Sequence, residues 1–552
     1  MTGIFIYRSI TEAMMNKSRR DKLAMLILAL VVLTMIPRVS GAWFSDPAIN
    51  TRISPSTSNQ VNPVSISDGS GGALIVWSED VNGDFNIYAH RLDVSGDPVW
   101  TAPIVICSAQ NSQDSPRIIS DNTGGAIIVW EDSRNGPNTK DIYAQRINIG
   151  GQALWAANGI PVSPVPELQD NVQIVTDKLG GAIIAWEDIR SSYPQVYAQR
   201  IDSNGQAMWE QDGKLIALIN YGQSNPDMIA DGFGGAIVVW TDYRPLNISN
   251  IYAQKLDADG TRAWGDEGRP LCTKVGNQIS PHVASDGFGG AIFSWADGRL
   301  GDETMDIYAQ RLDSLGNVMW TTNGIPLTSA PAIQEENAIV SDGVGGAIVV
   351  WSDTRKENGD IDLYTQRVNA SGVTLWMTDG APVAVTDEFQ MHPALISDGL
   401  GGVFITWQDF YRGGTSWNIY AQHMDSSGQP KWEPNGIAIS IPDDTQSDPI
   451  IIPDASGGAI IAWNDGRAGT YTNVFAQQVS SAGLLGGGAF TFYTAGTDGT
   501  PKTSFTTDEL ILFTSSWTMP APMTTGTYDA GAIIIINSNT DYRFGVINYE
   551  VQ

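Results

Sequence analysis

Cysteine and histidine are the scarcest reactive residues in this chain, with two of the first and four of the second. Two cysteines cannot build a disulfide framework, and no Cys/His cluster has zinc-ligand spacing. Basic residues are also few, 31 against 60 acidic ones, for a net charge of -29. Such a surface repels nucleic-acid phosphates and the anionic face of a membrane, so neither is an expected partner. No Gly-x-Ser-x-Gly elbow, His-Glu-x-x-His pair or phosphate-binding glycine loop occurs. Charged residues make up only 16% of the chain and apolar ones 42%, a balance that favours a large packed core over disorder.

The single long apolar run, residues 23–36, follows a basic stretch from Lys17 to Lys22 and precedes Ser40-Gly41-Ala42. It is short for a membrane span of ~20 residues, and the order of basic, apolar and small residues is that of a secretory signal. Residues 1–42 are therefore expected to be a signal peptide cleaved after Ala42. No membrane span is expected in the mature protein, which is placed in the periplasm, at the cell surface or outside the cell.

Glycine is abundant, at 58 residues, and much of it is periodic. Tryptophans 77, 130, 186, 240, 295, 351, 407 and 463 stand 53 to 56 residues apart, each preceded by Asp-x-x-Gly-Gly and a short apolar run. This is an eightfold repeat. Each copy parses into four short strands separated by turns, the glycines supplying the positive φ of tight hairpins and the aspartates capping them. The second strand, as at 126–130, is apolar at consecutive positions and needs cover on both faces; the third, as at 142–147, alternates more. The expected fold is all-β, an eight-bladed β-propeller of four-stranded blades over residues 43–490, with a small C-terminal β module at 491–552.

A second tryptophan recurs at 100, 155, 209, 264, 320, 376 and 432, but the eighth copy has Gly486 there. Trp43 lies one period before Trp100. Residues 43–53 are therefore expected to supply the missing fourth strand and close the ring, the alternative being that 483–490 complete the last blade. An open propeller would leave an edge free to pair.

After each first tryptophan comes an Asp and, in seven copies, an Arg. These are Asp132/Arg134, Asp188/Arg190, Asp242/Arg244, Asp297/Arg299, Asp353/Arg355, Asp409/Arg412 and Asp465/Arg467. They make a candidate ligand-binding ring, because a guanidinium can take an anion or a sugar hydroxyl in bidentate fashion. The competing reading is that each Asp holds its own Arg or a neighbouring backbone, as residues repeated in every blade readily do. His90, His282, His392 and His423 break the repeat, at four different repeat positions, and read as exposed or packed side chains. Cys107 and Cys272 read as buried small hydrophobes. The acidic loops at 82–84 and 301–303 offer hard oxygen ligands for Ca²⁺, without EF-hand spacing.

The segments Tyr143-Ala-Gln-Arg-Ile-Asn-Ile-Gly-Gly-Gln-Ala-Leu-Trp155 and Tyr308-Ala-Gln-Arg-Leu-Asp-Ser-Leu-Gly-Asn-Val-Met-Trp320 resemble the tryptophan-docking repeat of eight-bladed quinoprotein dehydrogenases. The resemblance implies eight blades locked by tryptophans. It does not bring the pyrroloquinoline quinone cofactor with it, since the adjacent-cysteine pair typical of many such enzymes is absent. The run Ser-Asp-Gly, then Trp-x-Asp-x-Arg, then Asp-Ile-Tyr is similar to the repeats of TolB-type propellers, a protein-binding periplasmic family. The functional expectation is an exported, non-enzymatic scaffold binding a protein or glycan. The alternatives are a quinoprotein-like dehydrogenase, a carbohydrate-active enzyme or a structural surface component.

Overall fold

A computed structural model describes residues 43–136, 139–165, 167–244, 248–356, 359–410 and 416–486, and the backbone of four later strands. The expected signal peptide at 1–42 and Arg412 lie outside the described residues. Ala42–Gly488 forms one compact unit. It is an eight-bladed propeller of four-stranded antiparallel blades. The innermost strands are Gln60–Ser67, Gln113–Ser120, Gln169–Thr176, Gln223–Ala230, Gln278–Ser285, Gln334–Ser341, Gln390–Ser397 and Gln446–Pro453, which number blades 1 to 8. Successive inner strands touch in order round the axis, and that of blade 8 touches that of blade 1. Among the described residues, no helix is long and apolar enough to cross a membrane.

The second strands are buried along nearly their whole length, and fully so at Ala126–Asp132, because each is sandwiched between two neighbouring blades. Ile127 and Val129 pack with blade 3 while Ile128 and Trp130 pack with blade 1, so each gap between blades holds its own apolar cluster. The third strand departs from expectation. Asp141–Ile147 shows almost no alternation in burial, since the next blade covers one face and the previous blade the other.

The Asp-x-x-Gly-Gly aspartate does more than cap its turn. Asp121 Oδ1 accepts the N–H groups of Thr123 and Gly125, and its Oδ2 takes Arg146 Nε and Nη2 from the third strand at 3.0 and 2.9 Å. Arg146 Nη1 then donates to Ser203 O of blade 3, where Trp155 Nε1 also donates. One carbonyl thus fastens two side chains of the preceding blade. Gly159, at φ 83°, has to be glycine, because a Cβ there would lie 2.5 Å from the tip of the Trp130 ring.

The N-terminus closes the ring as expected. Thr51–Arg52 pairs with Asn473–Val479 as the fourth strand of blade 8. Trp43 is buried, and its Nε1 donates to Val94 O of blade 1 at 3.0 Å, the same bond that Trp155 makes. Asn50 fastens the segment to Ile439 O and Ser440 Oγ of blade 7. The C-terminal strands Thr491–Ala495 and Leu512–Ser516 form one antiparallel pair, and Thr527–Ile534 and Arg543–Glu550 another.

Candidate functional site

The repeated Asp–Arg pairs are internal nests. Asp132 Oδ2 accepts Trp130 Nε1 at 2.7 Å and Arg134 Nη2 at 2.6 Å, while Oδ1 accepts Arg134 Nε and its backbone N–H. Arg134 Nη2 also donates to Asn158 O, and the guanidinium lies 3.7 Å over the Tyr143 ring. Asp188/Arg190, Asp242/Arg244, Asp297/Arg299, Asp353/Arg355 and Asp465/Arg467 repeat the ion pair and the ring contact. Every one of these aspartates is fully buried. In blade 1 Glu79 replaces the Asp and takes both Trp77 Nε1 and Gln60 Nε2.

Cys107 and Cys272 are buried as expected, but they join two of these nests. Each Sγ lies 3.3 Å from the arginine Nη2, of Arg134 and of Arg299. Burial pushes the thiols up to about 11 and about 12, so both are inert as nucleophiles near neutrality.

Asp306, opposite Asp297 in its blade, is buried, and burial together with the charge of Asp297 pushes its carboxyl up to about 6 from 3.8. A raised carboxyl means that the folded protein holds the proton more tightly than the unfolded chain. The penalty is therefore absent below pH 3.8, and stability falls as pH rises through about 6. Blades 4, 7 and 8 carry Asn250, Asn418 and Asn473 at this position. Asp306→Asn is expected to stabilise the protein by about 1–2 kcal/mol at pH 7 and to leave it unchanged near pH 4, as read by urea unfolding at the two pH values.

Two features were missed in the sequence. The first is the glutamine that opens every inner strand, Gln60, Gln113, Gln169, Gln223, Gln278, Gln334, Gln390 and Gln446, each fully buried. Gln169 Oε1 accepts the Ile142 N–H of the preceding blade, and Gln60 does the same for Val474 across the closure. Its identity in all eight copies was the available signal.

The second lies two residues further on. Asn62, Ser115, Asn171, Asn225, Ser280, Glu336, His392 and Asp448 all have φ between 49° and 54°, each within a bulge of the inner strand. A left-handed residue breaks the ladder and frees its N–H toward the neighbouring blade. That N–H is met by the preceding blade: Asn171 N donates to Glu131 Oε1 and Asn225 N to Glu187 Oε1. The side chains form a polar ring round the mouth of the channel, on the face of the Asp–Arg nests.

Five copies place Asn or Ser in this ring, and blades 6, 7 and 8 place Glu, His and Asp. His392 Nε2 is 3.8 Å from Glu336 Oε1, and its Nδ1 is 3.9 Å from Asp448 Oδ1. The carboxylates are held in place. Ser352 Oγ and His392 N–H donate to Glu336, while Asn464 Nδ2 and Ser447 Oγ donate to Asp448. His392 itself is half exposed. Three residues before it in the chain, Phe389 packs on Phe410 at 6.1 Å and Phe410 on Trp417 at 4.6 Å; at the corresponding positions blade 4 has only Tyr243 and blade 1 only Phe85, so blade 7 alone carries all three aromatics.

The other histidines are engaged elsewhere. His90 is buried against Trp100, His423 bonds Asp398, and His282 Nδ1 lies 3.2 Å from Asp227. Among the described residues, no group of three or more Asp, Glu, His or Cys side chains is placed to hold a metal. In the acidic loops read as candidate Ca²⁺ ligands, Asp302 Oδ2 accepts Asn277 Nδ2, and Asp80 Oδ1, just before the loop at 82–84, accepts the Gly83 N–H.

No family model matches the chain, and no curated protein does. Among solved structures it is similar to a PL25 ulvan lyase bound to -[GlcA(1-4)Rha3S]-, at 12% identity over 80% of this chain and 97% of that one, with a TM-score of 0.43. It is also similar to the Hadza microbial sialidase Hz136, at 10% identity over 74% and 77%, with a TM-score of 0.34. The propeller domain of the trilobed protease from Pyrococcus furiosus matches at 10% over 67% and 95%, with a TM-score of 0.38. Likenesses this distant do not bear on chemistry. Of the resemblances expected from the sequence, the coarse one stands: eight four-stranded blades in a ring.

Proposed function

We propose that this is an exported, non-enzymatic propeller that binds a glycan at the rim of its channel, centred on blade 7. One observation carries the reading: in the ring that is Asn or Ser in five blades, blades 6 to 8 bring together a Glu–His–Asp triplet, and the half-buried aromatic group of blade 7 begins three residues before His392. A sugar offers hydroxyls round its edge and C–H groups on its faces. Carboxylates and imidazole take the first, and aromatic faces take the second. The Asn and Ser residues of the remaining ring extend the hydrogen-bonding edge. Export rests on the signal-like order of basic, apolar and small residues in 1–42.

The test is calorimetric titration with a panel of neutral oligosaccharides. His392→Asn installs the residue that blades 1, 3 and 4 already carry in the same left-handed conformation, so folding is preserved. It is expected to weaken the best ligand about tenfold with its unfolding midpoint unchanged; Trp417→Ala, which also loses its packing on Phe410, should weaken it likewise. No binding across the panel, or binding indifferent to both changes, overturns the reading. Release of new reducing ends during the titration would make the rim an enzyme's site instead.

A further inference from the structure

Two residues below the rim, past the bulge, lies a second position whose chemistry is divided between two halves of the ring. Blades 2 to 5 carry Arg117, Gln173, Asp227 and His282 there, whereas blades 6, 7, 8 and 1 carry alanine or an aliphatic residue. Arg117 is the exceptional member. The blade arginines of the nests and turns each hold an aspartate, as Arg134 and Arg146 do. Half-buried on an inner strand, Arg117 has no carboxylate within ion-pair distance among the described residues. Its one hydrogen bond there runs from Nη1 to the neighbouring Pro116 O, which leaves Nε and Nη2 without an acceptor. Burial pushes the guanidinium below the ordinary arginine value, and the charges of Glu131 and Asp227 pull it back.

Neither acid is free to neutralise it. Glu131 is held by Lys140 at 2.6 Å and by Asn171 N–H. Asp227 is held by His282 Nδ1 and by the N–H groups of Met228 and Val283. A half-buried cation with unused donors is costly to keep, and a bound anion offsets that cost.

We propose that Arg117 anchors an oxyanion site inside the channel, its guanidinium fork taking a carboxylate or sulfate group and the Gln173 amide of the next blade serving as second donor. Gln173 has no side-chain partner among the described residues. The site is separate from the rim of blades 6 to 8.

The experiment is calorimetric titration of the full mature chain with sodium sulfate at constant ionic strength, and in parallel with glucuronate and with glucose. Saturable sulfate or glucuronate binding is expected, and Arg117→Gln should raise Kd at least ~10-fold. Arg117→Lys, which keeps the charge and loses the fork, should fall between and guards against a misfolded Gln variant. His392→Asn should leave anion binding unchanged, so the two sites fail separately. Glucuronate binding with glucose silent assigns the oxyanion to a sugar substituent, and sulfate binding alone assigns it to a free ion; both support the site. Absence of saturable binding by any anion, or equal Kd values for the wild-type protein and both Arg117 variants, overturns it.

Discussion

Deleting residues 43–54 is expected to destabilise the propeller by about 5 kcal/mol or more, because it removes two buried anchors, Trp43 and Ile53, together with the closing strand. The loss spreads beyond blade 8. Trp43 docks on blade 1, Asn50 fastens blade 7, and Arg467 reaches both Ala48 O and Asn50 Oδ1. Without the segment, the outer edge of Asn473–Val479 is left unpaired, an invitation to aggregation. Urea unfolding of chains beginning at residue 55 and at residue 43, with light scattering to follow association, measures both effects. A midpoint equal to that of the chain beginning at residue 43 would mean that the closure bonds contribute nothing.

Asp297→Ala is expected to cost about 3–5 kcal/mol, well above the cost of removing its partner. The carboxylate holds Trp295 Nε1 at 2.7 Å and Arg299 through Nε and Nη2, all in a fully buried place. Its loss strands a cation and an indole N–H together. Arg299→Ala, by contrast, leaves an acid that still has the indole as a donor, and should cost about 0.5–2 kcal/mol. Urea unfolding of the two variants gives the order. If Asp297→Ala kept its midpoint and lost affinity for an added anion or glycan, the nests would be ligand sites.

What was legible in the sequence was whatever repeats along it. The tryptophan period, the Asp-x-x-Gly-Gly turn and the vacancy at Gly486 are local or periodic marks, and they led to eight blades, four strands each and closure by Trp43. The left-handed ring left no such mark. Positive φ is announced by glycine, and here it falls on Asn, Ser, Glu, His and Asp, held there by an acceptor on the neighbouring blade. Nor did the four histidines reveal their partners, since Glu336, His392 and Asp448 stand 56 residues apart and meet only because inner strands converge on one axis.

The sequence by itself determined the repeat and the strand count, because hydrophobic period and turn chemistry act over a few residues and recur; between the two candidate closing segments, 43–53 and 483–490, the pairing of Thr51–Arg52 with Asn473–Val479 decided. Only the tertiary structure decided which polar residues are spent and which remain available. Asp132 and Arg134 look as chemically able as His392 and Arg117 along the chain. Packing buries the first pair against its own tryptophan and tyrosine, where their bonds are used up. It leaves His392 half exposed at the rim and Arg117 with unused donors on an inner strand, because blade-to-blade contacts set burial and partner supply.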